Sequence, residues 1–142
     1  MQEQSGRSLI EIVGVLAIGV IMIASAYNMY RSIDQRQKRM IAYEEVKEVA
    51  RKTKILYEYS GYDGLSVSKL VTAGALSSST APIGSWTISS YNENSEFKIT
   101  LSNLTHNECK YFATKKSSDW AYNKSSNCAN SGSSSSVTFY VK

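Results

Sequence analysis

The chain is short of almost everything from which catalytic and metal sites are built. It has a single histidine, His106, and two cysteines, Cys109 and Cys128. His106 stands three residues before Cys109, which invites a nucleophile pair, yet no third group is placed to orient it. One histidine and two cysteines cannot close a structural zinc site. No glycine-rich phosphate loop and no metal-ligand spacing is present. We therefore expect no catalytic residue, no metal and no cofactor. The excess of positive charge is mild: the net formal charge is +4, and the basic residues are scattered. A phosphate backbone is bound by clustered cations, so nucleic acid is not expected as a partner. Trp86, Trp120 and the ten tyrosines could stack on bases or sugars. Such residues equally fill half-buried sheets and subunit interfaces. Proline is nearly missing as well. The only one, Pro82, lies well past the first 60 residues, so no helix breaker interrupts Leu9 to Ser60.

What is present is one long apolar run. Leu9 to Tyr30 spans roughly 33 Å as a helix, about one hydrocarbon core. A buried helix of a soluble domain would be shorter and apolar on one side only. A secretory signal peptide is a second reading, with Arg7 as its charged start and "ASA" at Ala24–Ala26 as a cleavage site before Tyr27. It leaves Glu11 unexplained. A carboxylate in lipid costs a few kcal/mol, about 2.5 or more, and needs a partner. A cut between Gly6 and Arg7 would create an α-amino group at Arg7 and make Glu11 the fifth residue of the new chain. The positive N-terminus of a neighbouring copy could then neutralise Glu11. An acid in the first turn of a helix is also favoured by the helix dipole.

"SGRSLIEIVGVLAIGVIM" resembles the N-terminus of type IV pilins and type II secretion pseudopilins: a glycine, a cleavage point, then Ser-Leu-x-Glu and an apolar run. Gly6, Ser8-Leu9-Ile10 and Glu11 match that pattern. Arg7 stands where the family usually has Phe or Met, and Asn28 stands where many members have proline. The stretch "NLTHNECKYFAT" resembles pilins of the class IVb and thin conjugative pilus group. Taken alone, the basic residues Arg31, Arg36, Lys38 and Arg39 after the span would place the C-terminus in the cytoplasm. The resemblance places it outside, and we follow the resemblance. It implies a leader removed by a prepilin peptidase, N-methylation of Arg7, and a stay in the bacterial inner membrane. Extraction by an inner-membrane assembly machinery into a helical homopolymer follows, with minor pilins as further partners. The filament would reach the cell surface as a pilus, or remain a periplasmic pseudopilus.

After the span, Ile33, Met40, Tyr43, Val46, Ala50, Thr53 and Tyr57, with Val49 and Leu56 beside them, recur at helical spacing. The opposite face carries Glu44, Lys47, Glu48, Arg51, Lys52, Lys54 and Glu58. This predicts one helix from about Leu9 to Ser60, its second half packed on its own domain, with Gly61 ending it. Ser66 is expected to cap a short helix over 67–73. Strands are expected at Ser85–Tyr91 and Glu96–Leu104, joined by a hairpin loop at 92–95, and at Ser136–Lys142. Residues 108–114 read as strand or short helix. The Ser/Asn-rich stretch from Lys115 reads as loop.

The cysteines bracket much of that loop. In an exported chain a Cys109–Cys128 disulfide is expected, and two free thiols are the alternative. The bridge would be worth about 3 kcal/mol by loop entropy. The expected class is α+β, a long helix on a small, mainly antiparallel sheet. Its parts are a leader over 1–6, a membrane or filament-core half over 7–30, an amphipathic half over 31–60, and a head over 61–142 with the loop 109–128. The expected function is that of a structural filament subunit, with Gly6 and Arg7 as processing residues and Glu11 as assembly residue. The alternatives are a secretion pseudopilin and a small secreted binding domain released after Ala26.

Overall fold

An uninterrupted run of residues that tolerate helix, with no proline, becomes one uninterrupted helix. In the computed structural model, α1 runs Gln2–Tyr57. The structure describes the backbone of residues 2–130 and 134–142, with the side chains of residue 6, of residues 8–130 and of residues 134–142. Tyr57 accepts a hydrogen bond from the backbone of Gly61 at 3.1 Å, and Gly61 has φ +73°, a conformation cheap only for glycine. The chain divides into two compact units, Met1–Gln37 and Lys38–Lys142. The second part of α1, from Lys38, therefore belongs with the head.

The remaining elements are α2 (Val67–Thr72), β1 (Ser85–Tyr91), β2 (Glu96–Leu104), α3 (His106–Thr114), β3 (Asn123–Asn127) and β4 (Ser135–Val141). The four strands form one antiparallel sheet in the order β1-β2-β4-β3. The class is α+β, as the sequence predicts. The strand bounds of β1 and β2 are those read from alternation, and β4 begins one residue earlier than read. Ser66 caps α2 by accepting from the Lys69 backbone. The 108–114 segment is helical. Thr105 and Glu108 form a reciprocal capping box that starts α3 at His106.

Two expectations need correction. The stretch after Lys115 is not all loop: Asn123–Asn127 forms β3, paired along β4. Of the predicted helix stripe, Tyr43, Val46, Val49, Ala50 and Thr53 are buried, joined by Ala42. Ile33, Met40 and Leu56 are exposed. Periodicity identifies an apolar face but not where along the helix a neighbour covers it.

The core of the second unit combines that α1 face with the inward residues of the sheet. Trp86 and Ile88 of β1, Phe97, Ile99 and Leu101 of β2, and Val137, Phe139 and Val141 of β4 are all buried. Cross-strand pairs such as Ile88 with Ile99 and Ile99 with Phe139 keep them in register. Leu65 and Leu70 near α2, and Cys109 and Phe112 of α3, complete the cluster. The register shifts between Leu101 and Leu104, where Asn103 takes φ +56°. Gly84 sits against this irregularity. A side chain there would collide with the Ser102 carbonyl, and its φ of +64° already requires glycine.

Candidate assembly helix and disulfide-bounded loop

Each of the two sequence-predicted sites lies inside one unit. In the first unit, α1 contains a stretch long and apolar enough to cross a membrane. Its most apolar window has a mean hydropathy of 2.5, and none of it is buried. Leu9 is 65% exposed and Ile23 71%. Glu11 is exposed among these residues. With Ser8, Ile12, Val15 and Leu16 it lines one shallow depression along the helix, as residues at steps of three and four do. No cation reaches Glu11 among the described residues. Gly6 is exposed, and a Cβ there would meet nothing within 4 Å. Gly6 and Arg7 fall within the α1 backbone, while the side chain of Arg7 lies outside the described residues.

In the second unit the sheet and α3 bring Cys109 and Cys128 together. They form a disulfide with Cα atoms 5.5 Å apart. This settles the thiol alternative. The enclosed segment is not a floppy loop. It contains most of α3, a turn at 117–121 and β3. His106, at the start of α3, is half-buried rather than a free surface residue. Its Nδ1 donates to the Ala129 carbonyl at 2.8 Å, next to the disulfide. That bond fixes the tautomer and gives the histidine a structural task. No group of three or more His, Cys, Asp or Glu side chains is arranged to hold a metal among the described residues.

Lys124 was not singled out by its sequence context. It is the one residue of β3 that is partly buried, and its Nζ donates to the carbonyls of Phe112 at 3.2 Å and Lys115 at 2.7 Å. It thereby satisfies carbonyls at the C-terminus of α3, which has no basic residue in its own last turn. Burial pushes its pKa below the usual lysine value.

Both tryptophans are held by indole hydrogen bonds within the fold. Trp86 is buried and donates to the Ser79 carbonyl at 3.0 Å. Trp120 donates to Tyr43 Oη at 3.0 Å, and Tyr43 in turn donates to the Lys116 carbonyl. This relay joins α1 to the disulfide-bounded segment, and burial raises the Tyr43 pKa. Trp120 also packs 4.9 Å from Phe139, centroid to centroid. On the outer sheet face, Tyr91 and Tyr140 lie 5.0 Å apart. Tyr122 donates to the buried Glu96, and that bond, with burial second, pushes the Tyr122 pKa to about 12.

No protein-family model matches the chain, and no curated protein matches it.

Proposed function

We propose that this protein is a structural subunit of a type IV pilus-like filament. It is made as a precursor, cut between Gly6 and Arg7, and polymerised through the first half of α1. The observation that carries this reading is the pairing of a long, uncovered apolar helix with a single acid near its start. Leu9, Ile10, Ile12, Val13, Val15 and Leu16 around Glu11 are all more than half exposed. At about 25 cal/mol per Å2, such a surface must be covered by lipid or by protein. Exchanging lipid for the equivalent helices of other copies keeps it covered throughout assembly. Glu11 makes the lone chain costly in lipid, and the α-amino group of a neighbour relieves that cost in the polymer. The membrane is thus the waiting state and the filament the destination.

The disulfide and the dense core of the head support this reading, since a subunit exposed outside the cell gains from covalent closure. A pseudopilin would use the same helix and the same cut. The experiment is Glu11→Ala in the native cells, with membrane fractionation and filament yield measured together. The expected result is normal insertion with filament yield reduced at least tenfold. Normal filament yield would remove Glu11 from the mechanism. Loss of insertion would show that the mutation acts before assembly.

A further inference from the structure

A partly open cavity of about 410 Å3 lies in the second unit between α1, the 117–122 turn and the end of β4. Its volume lies within the roughly 300–1,000 Å3 of small-molecule pockets. It takes no part in the filament reading, because its walls run from Lys47 to Lys142 and include nothing of the N-terminal half of α1.

The cavity has an apolar floor and a cationic rim. Ala50, Ala121 and Val141 form the floor, and all three are buried. Lys47, Arg51 and Lys54 rise on successive turns of α1, and the Lys142 side chain closes the far side. Asp119 is the one acidic side chain in the lining, 3.9 Å from Lys47. Arg51 is committed to Glu48 through two bonds of 3.0 and 2.7 Å, which lower the Glu48 pKa. Lys54 has no acidic partner among the described residues.

The aromatic walls narrow the ligand further. Trp120 has given its only N–H to Tyr43, and Tyr122 has given its hydroxyl proton to Glu96. These rings therefore offer carbon surface and no free donor. Ser118 and Asp119 are the only neutral or acidic polar side chains left to bond a ligand. A neutral sugar would leave the positive charge of the rim uncompensated, whereas an anionic ligand would meet it. The cations ring one concavity and do not line a track, so a nucleic-acid strand would meet them at one point only. The lysine ammonium groups are compact point charges that donate charge-assisted hydrogen bonds to an anionic oxygen, so a single carboxylate can be held between two of them.

The geometry points to a binding site for a compact organic acid, one carboxylate carried on an apolar body. The carboxylate meets Lys54 and Lys142, and the body rests on Ala50, Val141 and the ring of Trp120. The test uses the full chain in a non-ionic detergent, with 4-phenylbutyrate as probe and its neutral amide as control. The observable is the indole N–H resonance of Trp120, with that of the buried Trp86 as internal reference. The expected result is a saturable shift at Trp120 alone with phenylbutyrate, and binding at least about tenfold weaker for the amide. The Lys54→Gln, Lys142→Gln double variant should weaken the acid about tenfold or more and leave the spectrum of the folded head in place. Equal binding of acid and amide would overturn the proposal, as would an unchanged affinity in the double variant. Tighter binding of a uronic-acid oligosaccharide or a short single-stranded DNA than of phenylbutyrate would overturn the assigned ligand class.

Discussion

The two parts of α1 are one helix by backbone and two different objects by environment. From Leu9 to Tyr30 nearly every large apolar side chain is exposed, around the full circumference. From Ala42 to Thr53 one stripe is buried and the other face carries charges, among them Arg51 and Lys52 paired with Glu48. The backbone hydrogen bonds are alike in both. What differs is whether the sequence supplies its own partner for the apolar surface. The second part has the sheet and α3; the first has none among the described residues. That difference carries the functional reading, because a helix that satisfies its backbone but not its side chains is built for association.

Mutations can sharpen this contrast. The largest expected effect is in the covered region. Phe139→Ala removes a fully buried ring from the sheet and should cost the head about 3–5 kcal/mol, enough to unfold much of it. Ile18→Ala in the uncovered region should leave the thermal midpoint of the head within error, while lowering filament yield. If Ile18→Ala destabilised the head as strongly, the two regions would not be independent.

Next comes the staple. The Cys109→Ser, Cys128→Ser double variant should lose about 2–4 kcal/mol by denaturant titration, with secondary structure kept at low denaturant. Lys124→Met should cost about 1–2 kcal/mol, since it leaves the Phe112 and Lys115 carbonyls unpaired at the end of α3.

The smallest effect is a pH dependence. Tyr122 titrates near 10 when unfolded and at about 12 in the fold. Between those values the native state keeps a proton that the unfolded state has lost, so stability is full below pH 10 and declines up to pH 12. Tyr43 and Tyr62, both raised by burial, act in the same direction. Tyr122→Phe should flatten this alkaline decline in a melting-temperature series, and an unchanged slope would assign it to the other tyrosines.

The legible parts of the fold are those where side-chain pattern and backbone demand agree. Phe97, Ile99 and Leu101 alternate because one face of β2 is buried, and Gly61 ends α1 because its φ is positive. β3 was invisible for the opposite reason. Its residues are Asn, Lys, Ser, Ser and Asn, and only Lys124 is even partly buried, so pairing with β4 rather than apolar burial makes it a strand. The exposure of Met40 and Leu56 could not be read either, since it depends on where the neighbours of α1 stop. Of the candidate sites, the disulfide was readable from compartment logic. The cationic cavity was not, because Lys54, Trp120 and Lys142 are far apart in sequence and meet only through the turn after α3.

The central claim is that the uncovered half of α1 begins at a processed N-terminus poised against Glu11. The most direct test is the intact mass and N-terminal sequence of the protein isolated from its native cells. The account predicts a chain that begins at Arg7, with Glu11 as its fifth residue. A chain beginning at Tyr27 would contradict it, because the apolar helix would then be a discarded signal and the head a freely secreted domain.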